Sequence, residues 1–288
     1  MKITVFTPTY NRAYIIENLY RSLQRQTCMD FEWLVVDDGS VDNTEELFAK
    51  WIQEDNPFPI RYYTQPNGGK HRAINRALEL AQGEWFFTVD SDDYLTDDAI
   101  EKITVWIHQL PQQGKWCGVS GNLGLSPAET PNKLFENGFA EATLLDRYSY
   151  INGERALIFS TEIHRQYPYP EFDGEKFMTE AVSWNRMAAD GYSMGFYNDI
   201  ICIYKYLPDG LTQSGSKLFR NNPRGHGLWL REKSRFLNES RFNRLKMIYS
   251  FYCDHTHHLS KEEIRECIGS GRTTIEIISL LRKIRGIT

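Results

Sequence analysis

Long apolar runs are missing from this 288-residue chain. No stretch approaches the ~20 residues that cross a bilayer, so a membrane-spanning enzyme is not expected. Met1-Lys2-Ile3-Thr4-Val5-Phe6 is too short an apolar stretch for a signal peptide and runs straight into structure, so cytoplasmic residence is the expectation. Cysteine is sparse. The five thiols, at 28, 117, 202, 253 and 267, form no C-x-x-C pair, which predicts reduced cysteines rather than a disulfide framework. Cys253, His255, His257 and His258 are close together, but their order does not match a zinc framework, and they read as a polar helix end. Two nucleotide signatures are absent as well. No G-x-G-x-x-G follows the first strand, where Pro8 and Tyr10 stand, and Asn67-Gly68-Gly69-Lys70 lacks both the first glycine and the Ser/Thr of a P-loop.

What is present is an ordinary globular composition, 41% hydrophobic and 25% charged, with room for one large α/β domain and a smaller appendage. Charge is unevenly spread. Residues 217–288 carry 15 Lys/Arg against 7 Asp/Glu, while the first 216 carry 18 against 31, giving an acidic body with a basic tail.

The patterning alternates. Ile3 to Thr7 reads as a strand and Tyr14 to Gln26 as a helix, with Ile15, Leu19 and Leu23 along one face. Phe31 to Val36 is a second strand, followed by a helix from Asp42 or Asn43 through Ile52. Ile60 to Thr64 is a third strand, and His71 to Ala81 a helix closed by Gly83. The run Glu84-Trp85-Phe86-Phe87-Thr88-Val89 is a fourth strand, ending in Asp90-Ser91-Asp92 with Asp93 next. Such alternation predicts a mostly parallel sheet covered on both faces, with ligands bound outside the carboxyl ends of the strands. Further on, the pattern predicts a helix from Asp98 to about Gln109, a strand near Trp116–Asn122 and a loop-rich insertion or lid over 123–150. A helix from Lys176 to Ala189, a strand from Ile200 to Tyr206 stopped by Pro208-Asp209-Gly210, and helices from about Asn221 onward complete it.

Three adjacent acids at a strand end repel each other unless a cation sits among them, and hard oxygen ligands suit Mg²⁺ or Mn²⁺. On its own this cluster is read equally well as an acidic loop capping the following helix. Context separates the two. Thr7-Pro8-Thr9-Tyr10-Asn11-Arg12, Val35-Val36-Asp37-Asp38-Gly39-Ser40, Asn67-Gly68-Gly69-Lys70 with Asn75, and Asp90-Ser91-Asp92-Asp93 appear in this order, and together they resemble family 2 glycosyltransferases of the GT-A fold.

That resemblance implies an α/β GT-A domain over 1–215, with a nucleotide-binding half (1–95) and an acceptor half (96–215), followed by a basic helical extension over 216–288. It implies an inverting, non-processive transfer from a nucleotide sugar, expected to be a UDP-sugar, to a saccharide or lipid-linked acceptor in surface polysaccharide or glycan synthesis. The Q-x-x-R-W motif of the processive branch is absent. Tyr10 would stack on the base beside the Pro8–Thr9 backbone, and Asp38 would accept the uracil N3–H, while Asp37 is either a turn residue or a second contact. Arg12 and Lys70 would lie near the diphosphate or base, and Asn75 would steady the glycine loop. Asp92 would hold Mg²⁺ or Mn²⁺, with Asp90 and Ser91 nearer the ribose or a metal-bound water. The catalytic base maps to Glu180, although the family's usual Glu-Asp pair is here Thr179-Glu180, so Asp173 and Glu175 remain competitors. His71 and His226 are weaker candidates for phosphate contact and a late metal ligand. No nucleic-acid partner is expected. The basic extension either packs as solvated helices or makes peripheral contact with an anionic membrane at the inner face, where lipid-linked acceptors are found. The rival readings are a non-catalytic nucleotide-sugar-binding protein and, further off, a sugar nucleotidyltransferase, which should carry a Gly-rich, Arg-containing loop after its first strand.

Overall fold

β-Branched and aromatic residues fill four runs of the N-terminal half, and each becomes a parallel strand: β1 (Ile3–Thr9), β2 (Phe31–Asp37), β3 (Ile60–Thr64) and β4 (Trp85–Thr88). The computed structural model describes residues 2–205, 207 and 215–284. Between these strands lie α1 (Glu17–Gln24), α2 (Thr44–Gln53) and α3 (Lys70–Leu80). Spacing by three and four decides their buried faces: Leu19, Tyr20 and Leu23 on α1, Phe48 and Trp51 on α2, and Ala73, Ile74, Ala77 and Leu78 on α3. One sheet face packs Val5, Trp33 and Val35 against Tyr20, Phe48 and Trp51, and the other packs Phe6, Leu34 and Phe86 against α3. The alternation read from the sequence is therefore the fold of this half.

The second half continues the sheet with β5 (Tyr94–Leu95), α4 (Ala99–Gln109), β6 (Trp116–Gly124), β7 (Phe139–Thr143), β8 (Arg155–Ser160), α5 (Thr161–Arg165), α6 (Ala181–Ala189) and β9 (Ser193–Ile203). The strand order is β3-β2-β1-β4-β8-β6-β9-β5, with β7 also on β9. Only β8, β5 and β7 run against the rest, so the sheet is mostly parallel, as expected.

Several expectations need correction. The region 123–150 is not simply a loop: β7 adds to β9 inside it, using the alternation of Phe139-Ala140-Glu141-Ala142. β8 and β5 also escape a reading by periodicity, because short strands gain their stability from neighbours distant in sequence. β9 begins at Ser193 rather than Ile200, and the expected end of that strand at Tyr206 and its stop at Pro208-Asp209-Gly210 lie outside the described residues. The helix expected from Lys176 starts only at Ala181. Its first residues are held by Asn222, whose Oδ1 accepts from the backbone N–H of Lys176 (2.8 Å) and Phe177 (3.0 Å).

Among the described residues five helices follow, α7 (Ser216–Arg220), α8 (Pro223–Phe236), α9 (Arg241–His255), α10 (Lys261–Ile268) and α11 (Arg272–Ile284), with Phe251, Tyr252, Ile264, Ile268, Ile275 and Ile278 in their own core. Among the described residues no helix is long and apolar enough to cross a membrane. A chain of rings ties these helices together. His226 Nδ1 lies 3.1 Å from His255 Nε2, and His255 Nδ1 lies 3.2 Å from His258 Nε2, which reaches the Arg220 carbonyl at 3.1 Å. A carbonyl only accepts, so His258 Nε2 carries a proton, which leaves His255 to accept at Nδ1 and to donate from Nε2 to His226. His226 is thus committed to the helical extension.

Burial lowers His226 and His255 to about 4. Above pH ~6.5 these rings are neutral in both folded and unfolded chains. Between there and about pH 4 the unfolded chain takes up protons that the folded one refuses, so stability falls as pH falls. Urea midpoints measured from pH 7 to 4 should therefore decline more steeply for the wild type than for His255→Asn, which is less stable at pH 7 but loses less on acidification. Parallel curves for the two proteins would contradict the neutral-chain assignment.

Candidate active site

The carboxyl ends of β1, β2 and β4 meet at one rim, and the loops leaving them are bonded to each other. Asn11 takes a left-handed conformation (φ 53°), its N–H donates to Ser40 Oγ (2.8 Å), and its Oδ1 accepts from Val41 N–H (2.8 Å). Tyr10 is left 47% exposed beside this turn. Thr9 is buried, its carbonyl accepting from Asp38 N–H, and Pro8 is half-buried beside it. Arg12 bonds the Tyr14 hydroxyl (3.0 Å) and lies close enough to Asp92 to offset that acid's charge.

Asp37 and Asp38 do different work. Asp37 closes the turn, with Ser40 N–H on one oxygen (2.7 Å) and the Tyr62 hydroxyl on the other (2.5 Å). Asp38, 5% exposed, holds the glycine loop. Its Oδ1 accepts from Gln65 Nε2 (2.8 Å) and Gly68 N–H (2.9 Å), and its Oδ2 from Asn67 Nδ2 (3.2 Å) and Gly69 N–H (2.7 Å). Four donors match the lone-pair capacity of a carboxylate. The acid expected to read uracil is therefore already a loop anchor.

Gly69 explains why this loop needs glycine. Its φ is +98°, and a Cβ would come within 1.8 Å of the Lys176 carbonyl oxygen. The glycine loop and the segment leading to α6 are packed backbone to backbone, and Lys176 Nζ adds a bond to Asn67 Oδ1 (2.7 Å). Asn75 does not steady this loop, contrary to expectation. In the second turn of α3 it meets the Tyr169 backbone instead, donating to its carbonyl (2.9 Å) and accepting from its N–H (2.8 Å).

This packing lets Lys70 reach two acids. Its Nζ sits 2.7 Å from Asp90 Oδ1 at the end of β4 and 2.7 Å from Glu180 Oε1 at the start of α6. Burial alone would lower the ammonium, but the two carboxylates outweigh it and hold Lys70 well above the ordinary lysine value. Glu180 is the N-cap residue of α6 rather than a residue within the helix, which points it across the rim. The two neighbouring acids are placed differently. Glu175 is buried, with Oε1 accepting from Arg224 N–H (2.8 Å) and Oε2 from Gly225 N–H (2.9 Å), so it caps α8. Asp173 is exposed, and only its carbonyl is engaged by Arg224.

Asp90, Ser91, Asp92 and Asp93 form a turn closed by Asp93 N–H on the Asp90 carbonyl (3.1 Å), with Ser91 buried inside it. Burial and then the Asp90 charge raise Asp92, and burial with the charges of Asp90 and Asp92 pushes Asp93 up to about 8. Among the described residues no group of three or more His, Cys, Asp or Glu is arranged to hold a metal unaided. A hard divalent cation fits this donor set in another way, through one or two carboxylates completed by phosphate oxygens, and it would relieve the repulsion among the acids. A cavity of about 170 Å³ opens beside the turn, lined among others by Lys70, Asp90, Asp93, Glu154, Tyr169 and Glu180. Glu154 and Tyr169 carried no motif and were invisible in the sequence; only the pairing of β8 and the Asn75 bond bring them here. His71 is 2% exposed and packs at the start of α3.

A sequence profile described as Glycosyl transferase family 2 matches residues 4–160, more than half of the chain. Over 99 residues the chain is 39% identical to a chondroitin synthase of Pasteurella multocida, covering 34% of this chain and 10% of that protein. Over 151 residues it is 32% identical to the poly(ribitol-phosphate) beta-N-acetylglucosaminyltransferase TarS of Staphylococcus aureus, covering 51% of this chain and 25% of TarS. The chain thus spans only a small part of either relative. Among solved structures, S. aureus TarS 1–349 in complex with UDP-GlcNAc superposes with a TM-score of 0.65 at 19% identity, over 93% of this chain and 84% of that one. A mannosyltransferase from Pyrobaculum calidifontis in complex with GDP-Man and Mn²⁺ gives 0.56 at 17% identity, over 98% and 75%. At these identities the structural likeness establishes the shared fold.

Asp38→Asn should loosen the glycine loop, because an amide group would then face two of the four donors. Leaving buried donors unpaired costs about 1–3 kcal/mol, so thermal unfolding should begin several degrees lower and amide exchange at Gly68 and Gly69 should speed up. Unchanged exchange at both glycines would remove the anchoring role.

Proposed function

Starting from a chain that belongs to glycosyl transferase family 2, we propose that it is an inverting, metal-assisted enzyme moving a sugar from a UDP-sugar to a saccharide or lipid-linked acceptor, in the synthesis of a surface polysaccharide or glycan. One observation carries the reading. Asp90 on the nucleotide side and Glu180 on the opposite side share a single ammonium and line one cavity. A nucleotide-sugar sensor would need the first carboxylate and not the second. A nucleotidyltransferase would need a Gly-rich loop where Pro8-Thr9-Tyr10 stands.

In this mechanism Tyr10 stacks on the base, with the Pro8–Thr9 backbone beside it. Asp38 reads uracil by exchanging one side-chain donor, Gln65 or Asn67, for the base N3–H, while the backbone N–H groups of Gly68 and Gly69 stay bonded. Arg12 and Lys70 supply positive charge beside the diphosphate, with Ser91 and Asp90 on the ribose side. Asp92 and Asp90 would hold Mg²⁺ or Mn²⁺, which supplies Lewis-acid neutralisation of the departing diphosphate. The acceptor hydroxyl attacks the anomeric carbon on the face opposite the diphosphate. Its proton passes to Glu180 as the new C–O bond forms, and the bond to the diphosphate oxygen breaks with its electron pair leaving on UDP.

An acceptor presented at the inner face of a membrane suits the helical extension. α9 exposes Phe242 and Leu245, and α11 exposes Ile277, Leu280 and Leu281, on a segment rich in Lys and Arg.

Two measurements test this reading. General-base action is worth roughly 10²–10⁴ in rate, so Glu180→Gln should lower kcat by about that range with donor affinity nearly unchanged. Turnover at the wild-type rate would rule out Glu180 as the base. Cytosine presents an acceptor where uracil presents N3–H, so CDP should bind roughly 5–150-fold more weakly than UDP, matching a buried mispaired group of about 1–3 kcal/mol. Equal affinities would exclude uracil recognition by Asp38.

A further inference from the structure

Lys70 occupies a position that the mechanism above does not explain. The acid that should face a divalent cation and the acid that should take a proton are both paired with the same side chain, Asp90 through two short contacts (2.7 and 2.9 Å to Nζ) and Glu180 through one (2.7 Å). The arrangement is not an accident of a mobile surface lysine. Lys70 is the first residue of α3, directly after Gly69, and Gly69 is locked against the Lys176 backbone that leads into Glu180. Asp38 fixes the same loop from beneath. The ammonium is therefore delivered by a rigid framework to the point between β4 and α6.

An ammonium on Asp90 and a dication on Asp90 exclude each other. Two like charges at contact distance cost on the order of kcal/mol even when well screened, and a dication doubles the term. Asp92 and Asp93 do not compensate, since two acids alone make a poor site for a cation that prefers phosphate oxygens. A diphosphate changes the balance, because it offers the cation further oxygen ligands and offers Lys70 a new anionic partner.

We propose that Lys70 is an internal counter-ion: in the unliganded protein it occupies Asp90 and holds Glu180, so that a divalent cation binds at the acidic strand end only together with the nucleotide diphosphate. This deepens the proposed function and rests on it. Its consequence is that the site is not loaded with metal before donor, and that Glu180 stays paired until the donor draws the ammonium away. Lys70 is accordingly a positioning residue whose charge couples two binding events.

The test is Mn²⁺ binding followed by electron paramagnetic resonance on the full chain, with and without UDP, which requires no turnover. Wild type should bind Mn²⁺ weakly alone and at least about tenfold more tightly with UDP. Lys70→Met should bind Mn²⁺ without nucleotide at least about tenfold more tightly than wild type and show a smaller gain from UDP. Lys70→Arg, which keeps the charge, should behave as wild type. Wild-type protein that binds Mn²⁺ equally well with and without UDP would overturn the inference without recourse to any variant. So would a folded Lys70→Met, checked by circular dichroism, with wild-type Mn²⁺ affinity in the absence of UDP. Asp92→Ala separates this from the underlying reading. If Mn²⁺ binding in the presence of UDP is unchanged by Asp92→Ala, or is absent from wild type under either condition, the metal-assisted mechanism fails and the counter-ion role falls with it. If it is lost in Asp92→Ala while Lys70→Met gains nothing, only the counter-ion role fails.

Discussion

Two carboxylates about one lysine ammonium are the constraint around which the functional rim is arranged. Asp90 ends a buried strand and Glu180 begins a helix 90 residues later, and neither would hold its place as a lone half-buried charge. Lys70 can serve both only because the loop before it is fixed at each end. Asp38 supplies four acceptor sites to that loop, and Gly69 lets it lie against the Lys176 backbone with no room for a side chain. The missing Cβ is what allows the glycine loop and the segment leading to α6 to lie backbone to backbone.

The same economy of roles runs through the acid pairs. Asp37 ends β2 and Asp38 is the first residue past it, and their side chains meet different partners. One closes a turn with Ser40 and Tyr62, and the other bonds the glycine loop. Glu175 and Glu180 are five residues apart on one segment, yet Glu175 is spent capping α8 while Glu180 faces the cavity. The helical extension is therefore tied to the segment that leads to Glu180. Asn222 strengthens that tie by fixing Lys176 and Phe177.

Much of the nucleotide-side rim was legible in the sequence, because it is built from strand ends. Hydrophobic periodicity located β1, β2, β3 and β4, and the polar residues just past each one had to converge once the strands ran parallel. Tyr10, Asp38 and Asp90 stand at such ends, whereas Lys70, at the start of α3, was reached through resemblance. The acceptor side was not legible to the same degree. Its walls come from β8 and the segment around Tyr169, which have no periodic signature of their own and are placed by pairing to β4 and β6 and by Asn75. Glu180 was reached through resemblance rather than pattern, and its helix was expected five residues too early because Asn222 and Gly69 hold the preceding residues out of it.

Sequence by itself determined the alternating strands and helices, the absence of a spanning segment and the order of polar motifs along the rim. These follow from side-chain periodicity and turn chemistry, which act over a few residues. Tertiary structure alone decided which acid does what. Whether a carboxylate anchors a loop, caps a helix or faces a cavity depends on which donors reach it, and for Asp38, Glu175 and Glu180 those donors come from residues 27 to 110 positions away. Contacts of that range carry no local signal, so the same residue type read from sequence left several roles open and only packing assigned one.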